Sequence, residues 1–358
     1  MTDFERLHDI HYRGFASDNY AGVHPAVLEA IAIANGGHQI AYGEDVYTAK
    51  LQEVVKHHFG EQAEAFPVFN GTGANVLSLQ SMLPRWGAII CTATAHIHTD
   101  ENAAPERVAG LKLLTVQTPD GKLTPELIDT EAWGWGDEHR AQPLAVSITQ
   151  TTELGTAYTV AEVKAIADHV HSKGMKLHMD GARVANAAAS LQVPLRAFTT
   201  DAGVDILSFG GTKNGLLYGE AVIVLNPDAS EGLHFLRKLN MQLASKMRFV
   251  SAQLIALLSN TLWIDSAGHA NDMAAHLRRS LEHGIEAGTI TGLAFTQETQ
   301  ANAVFATLPT DAANRIREQF RFYDWDPAAG EVRWMCAFDT TEADVDAFVA
   351  AITRELAA

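Results

Sequence analysis

The chain has 358 residues, 47% of them apolar and 19% charged, and a formal charge of −17. That composition supports a sizeable core in two domains, or in one large domain with an appendage, and excludes a disordered chain. The acidic balance argues against nucleic acid and anionic membranes as partners, since both need a basic face, while local donors can still hold an anionic cofactor.

Met1 to Gly14 reads as a charged, loose arm with no apolar signal region. Pro25 opens a helix to Ala34, and Thr48 to Phe59 is helical, closed by Gly60. Seven strands then alternate with helices: Phe66–Phe69, Ala88–Cys91, Leu111–Val116, Leu144–Thr149, Lys176–Met179, Asp205–Phe209 and Glu220–Leu225. Such alternation predicts an α/β fold with a mostly parallel seven-stranded sheet covered by helices. Beyond it, Gly232 to Leu258 reads as one long helical run broken near Phe249. Asn271 to Ala287 is a helix with Arg278 and Arg279 on its exposed side. Strands at Ala303–Thr307, Arg321–Trp325 and Val332–Phe338, with helices near Ala312 and Asp344, predict a smaller α+β unit. The expected division is an arm at 1–14, a large domain at 15–288 and a small domain at 289–358. No stretch is long and apolar enough to span a bilayer. Cys91 and Cys336 lie in apolar strand-like runs, as in a reduced, intracellular protein.

Chemistry concentrates at strand ends. Lys213 follows the strand at Asp205–Phe209 and is flanked by Gly210, Gly211 and Gly215. A lysine withdrawn from water loses its proton more easily and becomes a nucleophile toward a carbonyl, which would suit a Schiff base with pyridoxal phosphate; it could also be an ordinary turn residue. Gly71 and Gly73, at a helix N-terminus, offer backbone N–H groups to an anion, or only a tight turn. His96 and His98 could bind a metal, as His-x-His does in hydrolases; His96 could lie flat on a ring, or both could sit in a solvated loop. Asp180 ends a strand at the sheet's carboxyl edge, where ligands bind in open α/β sheets, or it caps the helix that follows. Arg333 lies within an apolar strand and needs an anion, unless it snorkels from an edge.

The motifs FASDNYAG (15–22), AYGED (41–45), FNGTGAN (69–75), TAHIHTDE (94–101), SITQTTELGT (147–156), HMDGAR (178–183), SFGGTKNG (208–215) and LASKMRF (243–249) occur in this order. In them the chain, from about Phe15 to its C-terminus, resembles the low-specificity L-threonine aldolases, fold-type-I pyridoxal-phosphate enzymes. The resemblance implies retro-aldol cleavage of β-hydroxy-α-amino acids, L-threonine giving glycine and acetaldehyde. It implies that Lys213 holds the cofactor, Asp180 pairs with its ring nitrogen and His96 stacks on its ring. Gly71 and Thr72 would bind the phosphate, with Arg248 from the same or a neighbouring subunit. Ser17, Arg183 and Arg333 would grip the substrate carboxylate. It further implies a cytoplasmic homotetramer with sites at subunit interfaces, where Tyr42 and Arg248 could serve a neighbour. One departure stands out: many relatives carry a histidine where this chain has Glu153, which leaves Glu153, His96 or an ordered water as the base. Glu153, or a water it holds, is the expected one. The rival readings are a related fold-type-I lyase (a phenylserine aldolase or a β-eliminating lyase), a metal hydrolase built on His96 and His98, and a binding protein without turnover.

Overall fold

The computed structural model describes residues 5–357; the first four residues of the expected arm, and Ala358, lie outside the described residues. The larger sheet has seven strands: β1 (Glu64–Val68), β2 (Gly87–Thr92), β3 (Lys112–Val116), β4 (Gln142–Thr149), β5 (Lys176–Gly181), β6 (Ile206–Phe209) and β7 (Glu220–Val224). Their order is β1-β7-β6-β5-β4-β2-β3. Every residue of β2, β6 and β7 is buried, as expected of strands covered on both faces. One core cluster, around Leu51, Phe59, Ile148 and Phe209, and another, around Leu77, Ile89, Ile206 and Val222, supply that cover.

Neighbours from β3 to β6 pair in parallel, while β7 runs antiparallel to both β6 and β1. The reversal has a plain cause. Only residues 210–219 join β6 to β7, too few for the crossover that a parallel partner requires. That short return carries Lys213.

Several helices follow their local signals. Val160–Ser172 starts with a capping box between Thr159 and Glu162, and Gly174 follows it at φ 73°. Others differ from expectation. The run after Gly232 is two helices, Leu233–Leu239 and Arg248–Leu258. Its break spans residues 240–247, ahead of Phe249, where Met241 takes the left-handed φ of 60°. The next helix is longer than expected, Leu262–Glu286, because Gly268 sits inside it facing Ala189 of a neighbouring helix rather than ending it. On that helix Arg278 is not a free surface charge: it pairs with Glu282 and lies 3.6 Å from the centre of the Phe295 ring. His96–Thr99 is a single helical turn, not a loop.

The second sheet is antiparallel, in the order β10-β11-β9-β8, built from β8 (Ala294–Phe295), β9 (Ala303–Thr307), β10 (Tyr323–Asp326) and β11 (Glu331–Met335). The two-residue β8 has too little pattern to read from sequence. This sheet's core holds Trp334, Phe322, Phe348 and, from far upstream, Phe15. Phe15 stacks on Phe348 at 4.2 Å, its N–H donates to Arg321 O, and its carbonyl accepts from Met335 N–H. The segment after the arm is thereby fixed to the C-terminal sheet, and Ser17 and Asp18 arrive at the edge of the larger one.

Candidate active site

The carboxyl ends of β4, β5 and β6, the helix after β1 and the turn after β2 surround two adjoining cavities of about 320 and 770 Å³. Lys213 and His96 line both. The glycines before Lys213 are required by contact: a Cβ on Gly210 would lie 2.4 Å from Ala182 O, and one on Gly211 2.4 Å from Leu216. Glu220, buried at the start of β7, accepts the N–H of Gly211 at 2.6 Å and braces the turn from below. Burial pushes the Glu220 carboxyl up to about 7. Burial, then the charge of Arg183, lowers the pKa of Lys213, with Asp18, Asp180 and Glu220 opposing.

Asp180 is 4% exposed at the end of β5. Its Oδ1 accepts from Ala182 N–H at 2.9 Å and its Oδ2 from Asn75 Nδ2 at 2.8 Å. It does not cap a helix: the helix that follows, Val184–Leu191, has Arg183 at its N-cap. His96 Nδ1 lies 2.8 Å from Glu101 Oε1. His98 is exposed and lines neither cavity; two residues on along a helical turn, its side chain points elsewhere. The His-x-His pair is therefore not one ligand set. Among the described residues no group of three His, Cys, Asp or Glu side chains could hold a metal.

Glu153 Oε1 accepts from His96 N–H and from Thr149 Oγ1, each at 2.8 Å, while its buried Oε2 has no partner among the described residues. Burial raises the Glu153 carboxyl despite these two bonds. Ser17, Arg183 and Arg333 line the larger cavity together. Arg183 is held by Asp18 through two parallel bonds, Nε to Oδ2 at 2.7 Å and Nη2 to Oδ1 at 2.9 Å. Burial alone would raise Asp18, but the charges of Arg183 and Lys213 and the donors on Arg183 and Asn302 bring it down to about 2. Arg333 sits on β11, an interior strand, so it is not an edge residue reaching for water. Its guanidinium lies 4.9 Å from the centre of the Trp325 ring, and burial followed by repulsion from Arg183 lowers its pKa to about 10. Two arginines on one cavity, with the single Asp18 carboxylate bonded to Arg183 and none bonded to Arg333, suit an anionic ligand.

Gly71 and Thr72 open the helix Gly71–Met82 at the rim of the smaller cavity, and Asn70 caps it by accepting from Gly73 N–H. Arg248 is not part of this wall. It donates to Gly37 O and lines a separate depression with residues 37–41. Tyr42 is exposed beside Lys238 and lines neither cavity. Asn75, Glu101 and Asp18 hold Asp180, His96 and Arg183 from behind the wall, and Glu220 lines the smaller cavity; none of the four was singled out from sequence. The first three lie inside quoted motifs, but only the fold shows which neighbours they hold.

The described residues suit a small anionic, aldehyde-bearing ring. They offer a buried amine with a lowered pKa, a buried carboxylate, an imidazole, and a helix N-terminus at one end. The sequence pattern of the β-eliminating lyase family matches residues 14–308. The low-specificity L-threonine aldolase of Pseudomonas sp. is 42% identical over 96% of this chain and 96% of its own. That of Pseudomonas aeruginosa is 41% identical over 92% of this chain and 94% of its own. The solved threonine aldolase of Leishmania major superposes with a TM-score of 0.89 at 29% identity, over 96% of this chain and all of that one.

Proposed function

We infer the chemistry from the premise that the chain belongs to the β-eliminating lyase family and, within it, to the low-specificity L-threonine aldolases. It is a carbon–carbon lyase that splits L-threonine and related β-hydroxy-α-amino acids into glycine and an aldehyde. Pyridoxal phosphate, when bound, supplies the electron sink for the pair left by the broken Cα–Cβ bond. The residue roles are our reading. Lys213 would hold the cofactor through its amine, which burial keeps ready to lose a proton. Asp180 would pair with the ring nitrogen, His96 would stack on the ring, and Gly71 and Thr72, which open a helix at this cavity, would receive the phosphate.

Arg183 and Arg333, with Ser17, grip the substrate carboxylate; Asp18 keeps the Arg183 fork from turning. That grip orients the bond to be broken, a contribution on the order of several kcal/mol in such reactions. Glu153 takes the β-hydroxyl proton on its free Oε2. Its raised carboxyl suits a base that must also release the proton afterwards. We further propose a homotetramer in a reducing, cytoplasmic compartment, with a large and a small domain meeting near residue 288. Exposed Ile40, Tyr42, Phe235, Leu239 and Met241 support a covered face, and Tyr42 and Arg248 would then serve a neighbour's site.

The observation that carries this reading is that Lys213 lines both adjoining cavities, with Asp180 in the smaller and the Arg183–Arg333 pair in the larger. Incubation with L-threonine and pyridoxal phosphate is expected to yield glycine and acetaldehyde in equal amounts. Release of ammonia and 2-oxobutyrate, or no turnover, would contradict it.

A further inference from the structure

Behind the cavity wall lies a chain of side chains that the roles above leave unused. Glu101 follows the His96 turn, and its side chain is fully out of solvent. Its Oε1 meets His96 Nδ1 at 2.8 Å and Asn75 Nδ2 at 2.8 Å. The same Asn75 nitrogen meets Asp180 Oδ2 at 2.8 Å. An ionised carboxylate only accepts, so the hydrogens must come from the other partners. The Asn75 amide spends one N–H on each of two carboxylates, and His96 must carry its proton on Nδ1. Nε2 is then left for the cavity, with exposed Asp100 3.7 Å away.

We propose that Glu101 is a positioning residue of this site: it keeps the proton on His96 Nδ1, fixes the imidazole against the cavity and, through Asn75, sets the orientation of Asp180. The proposal rests on the functional reading above, since it concerns the groups that would face the cofactor ring. Two ring-facing groups on different strands thereby share one buried anchor. The charged groups around the imidazole are Glu101 and Asp100 on its own segment, Glu153 at its backbone N–H, Asp180 from β5, and Lys213 and Arg183 across the cavity. Of these effects the bond to Glu101 is the largest, and it raises the His96 pKa against the opposing effect of burial. A buried acceptor of this kind is costly to remove, because the donors it served are left unpaired.

The test uses the holoenzyme with isotope-labelled histidine. The His96 signal is identified by its loss in His96→Gln, and its titration is followed by NMR beside the pH profile of kcat/KM. In Glu101→Gln the His96 midpoint is expected to fall by about one pH unit or more, and the matching limb of the profile to move with it. Glu101→Asp, whose shorter side chain keeps the charge, should restore part of the shift and stands in if the glutamine variant does not fold. Asp100→Asn should move the midpoint by much less. An unchanged His96 midpoint in Glu101→Gln, even with lower stability or activity, would overturn the proposal. So would an equal shift in Asp100→Asn. The midpoint is read without reference to turnover, so a failure of the aldolase reading would appear separately, as absent aldehyde from the unaltered enzyme.

Discussion

The core around Trp334 and Phe348 is filled by rings, whereas the cavity around Lys213 is walled by groups that carry or share charge. One segment enters both: Phe15 stacks in the first, and Ser17 and Asp18 belong to the second. In the first region burial is itself the stabilising term. In the second, burial opposes the charged forms and shifts Lys213 down and Glu153 and Glu220 up. The fold accepts that cost where the groups must change protonation or meet an anion. Substitutions should therefore divide cleanly between the regions, some removing turnover and others removing stability.

The largest separation is expected from Lys213→Ala. Turnover of L-threonine should fall by at least about 10³-fold, with thermal unfolding no more favourable than in the parent, since a buried amine is lost. Phe348→Ala should do the reverse. It empties a site between Phe15, Phe322 and Trp334, and urea titration should show a loss of about 3–5 kcal/mol with kcat of the folded fraction kept. Glu153→Gln should lower kcat roughly 10²-fold with little change in KM for L-threonine; near-normal kcat would remove Glu153 as the base and leave His96 or a water.

The smallest effect is a pH dependence of opposite sign at two buried carboxyls. In the folded protein burial is outweighed by the charges of Arg183 and Lys213, which bring the Asp18 carboxyl down to about 2, below its ordinary 3.8. Its contribution, about 2 kcal/mol, is present above pH 4 and is lost as pH falls toward 2. Glu220 is raised from 4.5 to about 7, so its contribution is present below pH 4.5 and fades as pH rises through 7. Unfolding free energies between pH 2 and 8 should therefore lose the acid limb in Asp18→Asn and the neutral limb in Glu220→Gln.

The two regions also differed in how far they could be read in advance. Apolar runs such as Ile206–Phe209 and Glu220–Val224 announce buried strands, and Thr159 with Glu162 announces a helix start. The direction of β7 was not in its composition, because Glu220–Val224 looks alike in either sense; the ten-residue return decided it. Within the site, Lys213, Asp180 and Arg183 stood at strand ends, where spacing points to ligands. Asn75, Glu101 and Asp18 had no such mark. Each has a partner well along the chain, Asp18 on Arg183, Asn75 on Asp180 and Glu101 on Asn75 as well as on nearby His96, and only the fold makes the distant neighbours. Arg248 shows the converse: it lies in a quoted motif yet faces another depression.

The claim beneath all of this is that Lys213 carries the cofactor opposite Asp180. Borohydride reduction of the purified enzyme, followed by peptide mapping, measures it most directly. The protein should be yellow before reduction, and the label should fall on the single peptide that contains Lys213. A label on another lysine, or none from an enzyme that still cleaves L-threonine, would contradict it.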